Sequence, residues 1–155
     1  FHYGDLDTDF SSHANMADFT IRNLAYDCRD QFPPDLVPRD ARFNDGALVT
    51  AEIGSYQPNA WGLHDMHGNA WEWTRSTLQP YPYNDHDGRN DSDGPKVVRG
   101  GSWYDRPTRC RSAYRLSYPS WQKVYNVGFR VLIPADDRLL ALSAARNRTT
   151  FSPGL

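Results

Sequence analysis

The chain has 155 residues and a formal net charge of −2, with 39% hydrophobic and 23% charged residues. Those values describe one globular domain, not a disordered tail. No basic stripe marks a nucleic-acid surface, and no apolar run reaches the roughly 18 residues that a membrane-spanning helix needs.

Aromatic residues make up 14% of the chain, with five Trp and nine Tyr. Each buries a large area, so this density suits a loop-rich fold with few regular elements, or a binding surface. Phe1 is not an initiator methionine, so the chain reads as a fragment or a processed form. The opening residues 1–18 are polar and read as loop. A weak helix is expected over 21–26, after which Pro33, Pro34 and Pro38 break regular structure. Asn44-Asp45-Gly46 is a turn signal, and residues 48–50 read as a short extended piece. A strand is expected near 70–74, then an exposed loop over 80–95. Further strands are expected at 96–99, ended by Gly100-Gly101, at 112–116, and most clearly at 127–133, where β-branched residues run up to Pro134. Residues 136–146 carry Leu139, Leu140 and Leu142 and read as a short amphipathic helix. Loops this long need a device to hold them, and buried aromatics or bound metal are the two candidates.

The two cysteines, Cys28 and Cys110, are not in a C-x-x-C pair, so zinc and thioredoxin chemistry are weak readings. One disulfide, two free thiols, or one structural and one reactive thiol all remain open. Asp65 and Glu72 flank Gly68, an arrangement in which the chain can curl its carbonyls toward a hard cation. The bland alternative is a turn cap and a surface ion pair. Asn15 with Asp45-Gly46 is a second, weaker oxygen cluster. His64 and His67 lack the H-E-x-x-H arrangement of a zinc protease and read as solvated or hydrogen-bonded imidazoles.

Two blocks carry a family resemblance. The first runs Pro58-Asn59-Ala60-Trp61-Gly62-Leu63-His64-Asp65-Met66-His67-Gly68-Asn69-Ala70-Trp71-Glu72-Trp73. The second is Val98-Arg99-Gly100-Gly101-Ser102-Trp103, with Arg111-Ser112-Ala113-Tyr114-Arg115 and Asn126-Val127-Gly128-Phe129-Arg130 behind it. In this order and at these separations they resemble the formylglycine-generating, or sulfatase-modifying-factor, family from about Gly4 to Ile133. The resemblance implies an α+β fold, the formylglycine-generating-enzyme variant of the C-type-lectin fold, loop-rich with few short strands and little helix. It implies that residues 1–133 are the C-terminal part of that domain, with 134–155 a helix and tail, and that the first part is supplied by a partner segment or another chain.

The resemblance also implies two structural Ca2+ sites. Asp65 and Glu72, with the carbonyls of Gly68 and Ala70, match the ligands of one. Asn15 and Asp45, with the carbonyls of Met16 and Ala47, match those of the other. The founding enzymes hold Cu(I) on a cysteine pair five residues apart, where soft thiolates suit the metal. Here the first position is Asp105 and the second Cys110, so authentic sulfatase-activating activity is not expected. Trp71 and Ser102 match residues lining the pocket where O2 and substrate meet. Bland readings stand beside these: a buried Cys110, an Asp105-Arg106 salt-bridged turn, and Arg99, Arg111, Arg115 and Arg130 paired with acids such as Asp65 or Asp105. Two functional classes follow. One is an altered O2-using oxidoreductase acting on a peptide or small metabolite through copper or iron. The other is a non-catalytic, calcium-stabilised binding module or structural subunit. An extracytoplasmic location is inferred from the family's habits and the calcium requirement.

Overall fold

The computed structural model describes residues 1–21, 38–84 and 86–132. Their regular structure is one small sheet. Strand β1 is Trp71–Thr77, β2 is Lys96–Arg99, β3 is Leu116–Tyr118 and β4 is Val127–Gly128, in the spatial order β3-β2-β1-β4. β1 and β2 are antiparallel, with Glu72 opposite Arg99 and Trp73 opposite Val98. A register shift between Trp73 and Thr77 bulges the pair. β2 and β3 are antiparallel, and β4 lies parallel to β1 with Val127 opposite Trp71. A single 3-10 turn, Pro107–Arg109, is the one other element named among the described residues. No helix among them is long and apolar enough to cross a membrane.

The expected strands at 70–74 and 96–99 are present, the first extended to Thr77. Gly100 and Gly101 end β2 in left-handed conformations, φ 96° and 80°. Two expectations are corrected. Residues 112–115 turn, and the strand starts only at Leu116. The β-branched run from Val127 makes just two residues of strand; Phe129, Val131 and Leu132 are 76%, 71% and 83% exposed. β-propensity forms no ladder where nothing pairs on the outer side. Residues 48–50 bend without pairing as a strand. The helices expected at 21–26 and 136–146 fall, beyond Ile21, outside the described residues, as does Cys28.

The core is built from the loops as much as from the sheet. Phe10, Ala14, Met16 and Cys110 form one buried cluster, flanked by Phe1, Tyr3 and Phe43, and Ala17, Ile21 and Trp103 form another. Val97 and Val98, on opposite faces of β2, and Trp71 on β1 are buried as well. The connecting segments are stapled by side chains that bond backbone. Asn69, at φ 60°, accepts from the Ala51 amide (2.9 Å) and the Asn15 carboxamide (3.2 Å) through Oδ1, and its Nδ2 donates to the Ala51 carbonyl (3.3 Å). Asp18 accepts from the Asp45 amide (2.7 Å) and from both the amide and hydroxyl of Thr20. Such bonds satisfy backbone groups that a sheet ladder would otherwise take.

Candidate functional site

The segment 68–73 is the hub of the domain. The Gly68 amide donates to Gly100, the Asn69 amide to Asn15, the Trp71 amide to Asn126, and the Asn69 carbonyl accepts from Trp103. Gly68 also pairs with Asn15 as an isolated parallel bridge. One short stretch thus joins the N-terminal loop, the turn after β2 and the start of β4.

Around this hub, Trp71, Ser102, Asp105 and Cys110 converge. The first three are linked directly. Trp71 Nε1 donates to Asp105 Oδ2 (2.7 Å), and Ser102 Oγ donates to the same oxygen (2.5 Å). Asn126 Nδ2 then donates to Ser102 Oγ (2.9 Å). Trp71, Ser102, Asp105 and Asn126 are all buried. The other carboxylate oxygen faces Arg109 at 3.5 Å, not Arg106; the 3-10 turn brings Arg109 back over Asp105. Main-chain bonds from Asp105 N to Ser102 O and from Ala17 N to Asp105 O lock the turn. Asp105 is therefore a buried carboxylate with one oxygen held by an indole and a hydroxyl and the other facing a half-exposed guanidinium.

Cys110 lies on the far side of the same turn as a free thiol with no exposed surface. Its Sγ approaches the carbonyls of Ser102 (4.0 Å) and Asp105 (3.7 Å). Burial, with Asp105 nearby, pushes the thiol far above its usual range, so it stays protonated. A Cβ built on Gly101 would stand 2.2 Å from Cys110 Sγ, which explains why glycine precedes Ser102. Cu(I) needs soft, deprotonated thiolates. A single buried thiol beside a hard carboxylate, with no second sulfur among the described residues, does not fit it.

The first oxygen cluster brings Asp65, Ala70 and Glu72 to one cavity, which Arg130 also lines. Gly68 is absent from that wall and is spent on the bridge to Asn15. Arg130 Nη2 bonds Glu72 Oε1 (2.7 Å) and Nε approaches both carboxylate oxygens at 3.0 and 3.1 Å; Nη2 also reaches the His64 carbonyl (2.9 Å). Asp65, at φ 55°, accepts from the Gly54 amide through Oδ2 (2.8 Å), while its Oδ1 is buried with no hydrogen-bond partner.

In the second cluster Asp45 Oδ2 accepts from the Met16 amide (2.8 Å) and Oδ1 from the Ala47 amide (2.9 Å), and the Ala47 carbonyl accepts from the Thr20 hydroxyl (2.9 Å). Burial, with Asp18 adding a like charge, pushes the Asp45 carboxyl up to about 6. Asn15 donates its amide to Val49 O (2.7 Å) and Asn69 Oδ1, which leaves its own Oδ1 buried without a donor. Each cluster thus holds one orphaned buried oxygen, an arrangement suited to a hard cation. No three His, Cys, Asp or Glu side chains among the described residues cluster tightly enough to hold a metal by themselves. A cation at either place would need the amide and carbonyl oxygens too.

His64 and His67 do not face one another's ligands. His64 Nδ1 meets the Tyr56 carbonyl (2.7 Å) and His67 Nδ1 the Cys110 carbonyl (2.8 Å). Of the four arginines expected beside acids, Arg130 alone finds one among the described residues, and the acid is Glu72. Three residues in the quoted blocks, Asn69, Asn126 and Arg130, carry more of the geometry than their sequence spacing reveals.

Residues 6–135 match the sulfatase-modifying factor enzyme 1-like domain, and the chain belongs to that family. It is 37% identical over 100 residues to the formylglycine-generating enzyme of Streptomyces coelicolor, covering 59% of this chain and 32% of that protein. It is 31% identical over 99 residues to the inactive C-alpha-formylglycine-generating enzyme 2 of Mus musculus, covering 60% of this chain and 29% of the relative. The chain therefore spans about a third of the length of the curated relatives it matches. Among solved structures, Treponema denticola variable protein 1 aligns with 29% identity and a TM-score of 0.45, over 56% of this chain and 32% of that one.

Proposed function

We propose that this chain is a calcium-braced, non-oxidising member of its family, a binding module on the α+β, C-type-lectin-like scaffold. The observation that carries this reading is Asp105: it stands where the copper enzymes have a cysteine, and it is tied into the fold by the Trp71 indole and the Ser102 hydroxyl on one carboxylate oxygen. Cys110 is a lone thiol among the described residues, with no exposed surface. Trp71 and Ser102 are fully covered, so they present no surface to O2 and a substrate. The mouse relative whose name calls it inactive belongs beside this reading.

The ligand face lies on the solvent side of the same turn. Trp103, Tyr104 and Tyr125 form an aromatic triad with ring centroids 5.5 to 6.2 Å apart, and Tyr125 is 73% exposed. Exposed Tyr104 and Tyr125, held edge to face on the buried Trp103, offer a rigid, amphipathic platform for a peptide or small molecule. Residues 1–133 are the C-terminal part of a longer domain in this reading. The exposed Phe129, Val131 and Leu132 beside β4 support a partner segment there. The calcium requirement supports an extracytoplasmic setting.

Anaerobic titration with Cu(I) against a chromophoric chelator tests the central claim. No stoichiometric Cu(I) is expected to transfer to the protein, and a copper-supplemented cysteine peptide is expected to consume no O2 above the blank. Tight Cu(I) binding or thiol-dependent O2 uptake would return the chain to the oxidoreductases.

The calcium claim has its own readout. One site at 100 times its Kd contributes about 2.7 kcal/mol, roughly 10 °C in Tm for a domain this size. Chelation by EDTA is expected to lower Tm by about that amount, with Ca2+ restoring it and Mg2+ failing to, since Mg2+ demands a tighter octahedron. An unchanged Tm would remove both calcium sites from the account.

A further inference from the structure

Three arginines, Arg99, Arg111 and Arg115, have no carboxylate within ion-pair distance among the described residues. Arg111 is simply exposed, bonding the Thr108 carbonyl through Nε. The other two are half-buried and organised around one phenol. Arg99 Nη1 donates to the Ser112 carbonyl (2.9 Å) and Nη2 to Tyr81 Oη (3.3 Å). Arg115 sits over the Tyr81 ring, its Cζ 4.0 Å from the centroid, and Nη1 donates to the Gln79 carbonyl (2.9 Å). Each guanidinium is thus pinned by a backbone carbonyl and a shared tyrosine. Most of its five donors are left unspent.

Fixing a guanidinium in advance removes the entropy that a loose surface arginine loses on binding. Two such cations, touching one ring, set a positive field at an exposed point; Tyr81 is 57% exposed. The Tyr81 phenol reports that field: the Arg99 hydrogen bond, then the charges of Arg99, Arg115 and Arg89, hold it below the usual tyrosine range. Arg89 itself is paired with Asp87 and stacked on Tyr83, so it adds little net charge. Nothing in the buried Asp105 cluster uses these groups.

We propose that Arg99, Arg115 and Tyr81 form a binding site for a tetrahedral dianion, the sulfate or phosphate chemistry that two fixed guanidiniums and a phenolic O–H match. The ion is bound either free or as the terminal group of an ester. Neither source requires the domain to be catalytic or to hold calcium.

The test is calorimetric titration with inorganic sulfate and inorganic phosphate at constant ionic strength, with chloride and acetate as comparisons and phenyl phosphate as the ester. The dianions are expected to bind at least about tenfold more tightly than acetate, because two charge-assisted contacts exceed one. Equal affinity for inorganic phosphate and phenyl phosphate identifies a free-ion site. Tighter binding of the ester identifies a ligand-borne group. Arg99→Met and Arg115→Met are each expected to weaken sulfate about tenfold or more, and Arg111→Met to leave it within about twofold. Far-UV dichroism and Tm of each variant separate lost binding from lost folding. A second readout does not depend on truncating arginine. In protein carrying 13C at tyrosine Cζ, with the Tyr81 resonance assigned through Tyr81→Phe, sulfate is expected to raise the phenol's pKa beyond the effect of chloride at equal ionic strength, since it neutralises the cations that hold it down. Sulfate indistinguishable from chloride in both measurements, or unchanged sulfate affinity in folded Arg99→Met/Arg115→Met protein, would overturn the site.

Discussion

Gly68→Ala is expected to destabilise the domain by about 3 kcal/mol or more, whereas Gly62→Ala costs about 1–2 kcal/mol, the price of a left-handed alanine alone. Both glycines sit at φ 74°. Around Gly62 an added Cβ meets nothing within 4 Å, while at Gly68 it stands 2.1 Å from the Asn15 carbonyl oxygen and 2.8 Å from its carbon. Backbone cannot swing aside as a side-chain tip can. Relief would separate the Asn15–Gly68 bridge and strain the Asn69 amide bond to Asn15 (2.7 Å), the contacts that tie the N-terminal loop to the hub. Urea denaturation read by tryptophan fluorescence, with m held common to both variants, measures the difference. Equal costs would mean that the N-terminal loop does not pack on the hub as described.

The second large effect belongs to Asp105. Asp105→Ala is expected to cost about 3 kcal/mol, because it strips a charged acceptor from two buried donors. Asn126 still donates to Ser102 Oγ, but the Ser102 hydroxyl proton and the Trp71 indole N–H both lose their acceptor. Asp105→Asn is expected to cost less, since a single carboxamide oxygen in the place of Oδ2 can still accept both bonds. Arg109→Met is expected to stay within about 1 kcal/mol: its side chain is half exposed and 3.5 Å from the carboxylate, in the range where surface pairs contribute little. The same denaturation series ranks the three. An Asp105→Ala protein as stable as the parent would show that the carboxylate is not the acceptor of this knot, and with it would fall the argument that it replaces a copper ligand with a structural one.

Much of this was legible in residues alone. The turn at Asn44-Asp45-Gly46 is built on Asx turns, with the Asn44 carboxamide oxygen accepting from the Gly46 amide and the Asp45 carboxylate from the Ala47 amide (2.9 Å each). β2 begins and ends where its composition said, since two consecutive left-handed glycines stop it. The run from Val127 misled for a physical reason. Strand propensity measures fit to a pleated, half-buried surface, and only two residues there find a neighbour, β1. Bound metal and buried aromatics were the expected ties for the loops. The structure adds a third, the short polar side chains Asp18, Asn15 and Asn69 bonding backbone across 27, 34 and 18 residues of chain.

The sequence by itself determined the family, the order of the motif blocks, and the absence of a second cysteine at position 105. These are matters of residue identity, which local spacing preserves. Only the tertiary structure decided what Asp105 does, which acid Arg130 meets, and that Arg99 and Arg115 share Tyr81 with no carboxylate paired to either among the described residues. Those outcomes depend on which donors and acceptors a fold brings within 3 Å across tens of residues, and pairing at that range follows from how the chain packs, not from any periodicity along it.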